Sequence, residues 1–180
     1  MAQTVQRLTT YSRHEEAFEQ SIMILDKRDY TSDMPVFVKE AVRAVILRDG
    51  RLAVQQSSRG DCKLLGGGVD AGENFTEALC REVEEEAGLV VKRGTIQGIG
   101  RIEEIHRDIF LPEQIYHCFS YYFSCEAEEK QIEPHMTQSE LAKGYHLEWV
   151  TPEEFVSANA AYMTDGWIER DTRFVKQWLI

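Results

Sequence analysis

At 180 residues the chain suits a single domain with an N-terminal extension. A hydrophobic share of 43% and an aromatic share of 10% support a core and exclude wholesale disorder. The net charge of −11, from 20 basic and 31 acidic residues, argues against nonspecific binding to nucleic acid or anionic lipid. It leaves a phosphorylated small molecule open, because a metal inverts the local sign of charge. Cys62, Cys80, Cys118 and Cys125 form no CxxC pair and suit a reducing cytosol. No apolar run approaches the ~18 residues of a membrane span. The first 20 residues lack an apolar signal core, so a cytoplasmic protein is expected.

In chain order, residues 1–20 are polar and mixed, with a short helix expected around His14 to Gln20. Residues 21–25 read as a first strand and 26–35 as a turn-rich connection. Residues 36–48 read as one long strand, with Val36, Val38, Val42, Ala44 and Ile46 on one face. Asp49-Gly50 signals a hairpin, with residues 51–56 as its return strand. A loop at 57–61 and a short strand at 62–65 deliver the chain to Gly66, Gly67 and Gly68. Beyond the following helix, 90–105 give one or two strands, 106–113 an exposed loop, and 115–125 an aromatic-rich strand. Residues 126–143 are acidic and irregular, and 144–150 form a last strand. Thr151, Pro152 and Glu154 open a helix, and 171–180 form a terminal one. Interleaved strands and helices imply a mixed β-sheet covered by helices on both faces.

The most informative stretch is 66–89, GGGVDAGENFTEALCREVEEEAGL. Asn74 and Glu77 resemble a capping box, Gly88 supplies the left-handed stop, and Phe75, Leu79 and Val83 form an apolar row. Glu82, Glu85 and Glu86 then share one helix face. Three like charges there repel unless a cation offsets them, and a hard divalent ion takes oxygen ligands. The spacing Gly67, Glu73, then Arg81-Glu82-Val83-Glu84-Glu85-Glu86-Ala87-Gly88-Leu89 resembles the Nudix box, filled at nine positions over 23 residues. The resemblance covers about 36–161, including EWVTPEEF. It implies a Nudix-like α/β/α sandwich over 36–180, preceded by an extension over 1–35.

The resemblance further implies an Mg²⁺- or Mn²⁺-dependent hydrolase of a pyrophosphate bond. The substrate would be a nucleoside diphosphate linked to another group, or a nucleoside triphosphate. Glu82, Glu85, Glu86 and the Gly66 carbonyl are the implied metal ligands. Glu82 or Glu85 is the implied base, and an Arg81–Glu73 pair would fix the loop to the helix. Outside the box, Glu103, Glu104, Glu113, His106 and His117 are further base candidates. Arg43, Arg59, Lys63, Arg101 and Arg107 are candidates for phosphate oxygens. Tyr116, Phe119 and Tyr121 could stack on a base. The branch signatures of ADP-ribose, diadenosine polyphosphate, NADH and coenzyme A hydrolases are missing, so the substrate stays open. Two alternatives stand beside the hydrolase: a nucleotide sensor, although the box is intact, and an isoprenoid-diphosphate isomerase, for which Cys62 is a weak counterpart to the expected cysteine base. A homodimer is compatible with the resemblance and has no other support in the sequence.

Overall fold

The computed structural model describes residues 18–180. The helix expected around His14 to Gln20 therefore falls, for residues 14–17, outside the described residues. Among the described residues, ten strands and four α-helices are named here in order. They are β1 (Ser21–Asp26), β2 (Val36–Val45), β3 (Leu47–Arg48), β4 (Arg51–Gln56), β5 (Cys62–Leu64), α1 (Phe75–Ala87), β6 (Leu89–Val91), β7 (Gln97–Arg107), β8 (Ile115–Ser124), β9 (Ala127–Gln131), α2 (Gln138–Ala142), β10 (His146–Val150), α3 (Pro152–Asn159) and α4 (Gly166–Trp178).

The main sheet runs β1-β7-β8-β2. Its outer pairs are parallel and its central β7–β8 pair is antiparallel, which makes it mixed. A second sheet runs β10-β4-β3, with β5 also on β4. The two meet where β2 bridges the segment after β5, at Ala41–Gly68 and Ala44–Leu65. Those bridges press the glycine loop against β2.

Strand alternation separates two cores. Val42, Ala44 and Ile46 pack with Leu79 and Val83 of α1. On the opposite side Val45, Ile102 and Tyr122 pack with Phe155 of α3 and Phe174 and Val175 of α4. Tyr122 stacks on Phe174 at 4.0 Å between ring centroids. Each such fully buried side chain contributes about 1.5–3 kcal/mol. The sandwich expected from the sequence is the one observed.

Several boundaries differ from the sequence reading. The strand over 36–48 is interrupted at Ile46, and the hairpin turn after it holds Asp49 and Gly50 at φ 51° and 74°. The exposed loop at 106–113 starts two residues later, because β7 runs through Arg107. The stretch 126–143 contains β9, created by pairing with β6, and the short α2. The last helix starts at Gly166 rather than at residue 171, because Thr164-Asp165-Gly166 resembles a loop and Asp165 makes no side-chain cap bond.

Candidate active site

Helix α1 begins as its sequence dictates. The Asn74 side chain accepts from the Glu77 backbone, the Glu77 carboxylate accepts from the Asn74 backbone, and Gly88 closes the helix at φ 65°. Glu82, Glu85 and Glu86 follow on one face, but their surroundings differ.

Glu86 is only 3% exposed. The Gly66 N–H donates to its Oε2 at 2.8 Å, and Lys63 Nζ reaches Oε1 at 2.6 Å. Burial pushes its pKa up to about 7, against the opposing pull of Lys63 and Gly66. Burial also raises Glu82, although Arg81 opposes it. Glu85 is the outermost, with its side chain 44% exposed and one contact to Arg81 at 3.3 Å.

Arg81 ties the loop to the helix. Its Nε and Nη2 fork onto both oxygens of Glu73 at 2.9 Å each, and Nη2 also donates to the Gly68 carbonyl at 2.9 Å. Nη1 reaches Glu82 at 2.7 Å. Hydrogen bonding from Arg81 holds Glu73 below its ordinary range, and Glu73 in turn raises Arg81. A planar guanidinium can serve all these acceptors at once, which an ammonium cannot.

The glycines are required by contact. Gly66 has φ 136°, and a Cβ there would strike the Val42 carbonyl. A Cβ on Gly67 would strike the Glu82 carboxylate, so this carboxylate lies directly over the loop backbone. The Leu65, Gly67 and Gly68 carbonyls accept from Ala44, Val42 and Arg81. Among the described residues no donor is assigned to the Gly66 carbonyl.

This donor set fits a hard divalent cation: three carboxylates and an unengaged carbonyl, all oxygen. Among the described residues no three acidic, His or Cys side chains converge closely enough to hold an ion as placed. Arg81 and Lys63 engage the carboxylates instead.

A cleft of about 1190 Å³ opens beside the loop, lined by Arg43, Lys63, Gly66 and Gly68 among others. Arg43 donates to the Val42 carbonyl at 3.0 Å, and its Nε is buried with no acceptor among the described residues. Arg59 and Arg101 do not line the cleft. Arg59 pairs with Asp61 and Asp165 at 2.9 and 3.2 Å, and Arg101 with Glu103 at 3.5 Å on the other side of the main sheet. Arg107 is bound to Asp29.

The base candidates outside the box scatter. Glu103 is engaged by Ser21 and His117. Glu104 is buried against Arg170 at 2.8 Å. Glu113 lies exposed in the turn before β8. His106 lines the cleft. Of the stacking candidates, Tyr116 lines the cleft, whereas Tyr121 packs on Phe75 of α1 at 4.2 Å and Phe119 lies on that same face.

Sequence reading passed over Glu140, which reaches Lys63 at 3.3 Å from α2 and lines the cleft. Burial raises its pKa, but the Thr137 bonds and Lys63 outweigh this and hold it low. The available signal was TQSE, a capping box with Thr137 and Glu140 at its ends. Arg170 and Asp171 were also missed, since neither belongs to a recognisable spacing.

A glycine loop thus lies under a carboxylate-bearing helix, set in an α/β sandwich. The chain matches the NUDIX domain model over residues 38–170 and belongs to the Nudix family. It is a pyrophosphohydrolase of that family, whose members generally act with a divalent metal on small nucleotide-type substrates. Among solved structures it is similar to a NUDIX hydrolase from Nitrosomonas europaea, at 19% identity and a TM-score of 0.55, covering 77% of this chain and 90% of that one. It also resembles a MutT protein from Bacillus halodurans, at 20% identity and a TM-score of 0.46, covering 67% and 72%. No curated protein matches the chain. Among the described residues no helix is long and apolar enough to cross a membrane.

Proposed function

We propose that this enzyme uses Mg²⁺ or Mn²⁺ to hydrolyse a phosphoanhydride bond in a nucleoside diphosphate linked to another group, or in a nucleoside triphosphate. The observation that carries the proposal is the carboxylate face of α1 over the glycine loop: Glu86 is 3% exposed and accepts from the Gly66 N–H at 2.8 Å, and the Glu82 carboxylate lies over Gly67. Glu82, Glu85, Glu86 and the Gly66 carbonyl would hold the metal. When bound, it neutralises phosphate charge and makes water a stronger nucleophile.

The chain's own groups do the rest. Arg81 and Glu73 position Glu82 and Glu85 against the loop. Glu85, the most exposed of the three, is the freest to take a proton from the attacking water. Arg43 and Lys63 face the cleft with guanidinium and ammonium donors for phosphate oxygens. The isomerase alternative loses ground, since burial raises the Cys62 thiol to about 11, far from a ready base. The proposal extends to a cytoplasmic homodimer, with residues 36–180 as the catalytic domain and 1–35 as its extension.

The test is a phosphate-release screen with Mg²⁺ or Mn²⁺, using nucleoside triphosphates, nucleotide sugars, ADP-ribose, dinucleoside polyphosphates and NADH. Added phosphatase reveals monophosphate products, and Glu86→Gln is the control. Metal-dependent turnover that disappears in the variant is expected. Binding without turnover of any substrate would overturn the proposal in favour of a sensor.

A further inference from the structure

The far end of the cleft is built differently from the carboxylate end. On β2, alternation puts Phe37, Lys39, Ala41 and Arg43 on one face. In register beside them lie Tyr116, Cys118, Ser120 and Tyr122 of β8. The cleft floor is therefore a graded strip. Arg43 stands at one end and Lys39 in the middle; a Cβ on Gly68 would lie 3.3 Å from the Lys39 Cε.

At the outer end is an aromatic row. Phe37 pairs across strands with Tyr116, and Tyr116 with His106 of β7. Tyr116 and His106 are stacked at 5.0 Å and 26°, and Phe37 lies 6.2 Å from Tyr116. All three line the cleft. Phe37, at the edge of the sheet, is 47% exposed, and Phe110, which also lines the cleft, is 84% exposed. A large aromatic so open in a cleft forgoes burial that a polar residue there would not lose.

We infer that the Phe37–Tyr116–His106 row is a stacking platform for the base of a nucleoside diphosphate, with Phe37 as its contact face. The inference rests on the phosphoanhydride reading of the carboxylate end. The spacing suits that substrate. Lys39 is one strand repeat, about 6.6 Å, from Phe37, and Arg43 is about 20 Å away along β2. Phosphates between Lys39 and Arg43 place a base at the aromatic row. The row also offers polar edges. His106 Nδ1 donates to the Arg107 carbonyl at 2.8 Å, which leaves Nε2 for another partner. A polyprenyl chain has no use for such groups, whereas a heterocycle stacks and hydrogen-bonds.

The test is calorimetric titration of the full chain in EDTA with ADP, GDP, CDP, UDP and inorganic pyrophosphate. Wild type is compared with Phe37→Ala and Phe37→Trp. At least one nucleoside diphosphate should bind more tightly than pyrophosphate. Phe37→Ala should weaken that binding about tenfold, Phe37→Trp should restore it, and pyrophosphate should be indifferent to both. In turnover, Phe37→Ala should raise KM for the nucleotide and leave kcat unchanged. Nucleotides binding no better than pyrophosphate, or equally to wild type and Phe37→Ala, would overturn the inference. Base-independent hydrolysis would sink the platform and spare the hydrolase. Phe37-dependent binding without hydrolysis would do the reverse.

Discussion

Two carboxylate clusters, one lining the cleft around Arg170 and one reaching it through Lys63, Gly66 and Glu140, are neutralised in opposite ways. Around Arg170 the match is closed. Its guanidinium holds Glu104 at 2.8 Å and Asp171 at 2.9 Å, and Asp171 also accepts from Tyr122 and the Leu64 backbone. Burial alone would raise Asp171, yet the Arg170 charge outweighs it and keeps the carboxyl low. Around Arg81 and Lys63 the match is loose. Several carboxylates share two cations, burial raises Glu86 to about 7, and among the described residues the Gly66 carbonyl has no donor. The same residue types thus serve two ends. A fully satisfied buried pair pins α4 to the sheet, whereas under the proposed function the cluster around Arg81 and Lys63 would take up a metal ion.

The largest effect expected from this contrast is on stability. Arg170→Met leaves Glu104 and Asp171 buried without their cation and should cost about 3–5 kcal/mol, read by urea unfolding. A cost under about 1 kcal/mol would mean the Arg170 cluster is no pin. Next comes catalysis. Glu86→Gln or Glu85→Gln should lower kcat by two to three orders of magnitude, with circular dichroism unchanged. Near wild-type turnover would place the chemistry elsewhere.

The third expectation concerns pH. The folded pKa of Glu86, about 7, exceeds the ~4.3 of unfolded glutamate. Between those values the folded state holds more protons, so stability falls as pH rises through this window. In EDTA, wild type should lose on the order of 2 kcal/mol between pH 5 and pH 8 relative to Glu86→Gln. Asp171 and Glu73, both held low, act oppositely: their contribution is present at neutral pH and is lost only in acid. Unfolding curves that run parallel for the two proteins would contradict this. The smallest effect is at Gly67. Its Cβ would displace the flexible Glu82 carboxylate rather than backbone, so Gly67→Ala should fold normally and lose about tenfold in kcat. An unfolded Gly67→Ala would show that the loop, not Glu82, sets the constraint.

Much of the carboxylate end was legible because its physics is local. The capping box, the i, i+3, i+4 carboxylates and the left-handed Gly88 lie within one helix, and spacing alone fixes their face. The Arg170 cluster was invisible for the opposite reason. Glu104 and Arg170 are far apart in sequence and meet only because α4 folds back on the sheet. Register had the same effect on the aromatics. Tyr116, Phe119 and Tyr121 read alike in the sequence, but alternation sends Tyr116 to the cleft and the other two to the α1 side. Strand β9, mostly polar and exposed, exists through its pairing with β6, so its own residues gave little sign of it. Lys63 was recognised as a cation, but its double hold on Glu86 and Glu140 depends on where α2 lands.

The most direct measurement is a Mn²⁺ titration followed by electron paramagnetic resonance, on wild type and Glu86→Gln at pH 7.5, without substrate. The carboxylate face predicts saturable Mn²⁺ binding in wild type, weakened at least tenfold by the loss of one charged ligand. Equal Mn²⁺ affinity in the two proteins would contradict the claim that the loosely neutralised cluster is the metal site.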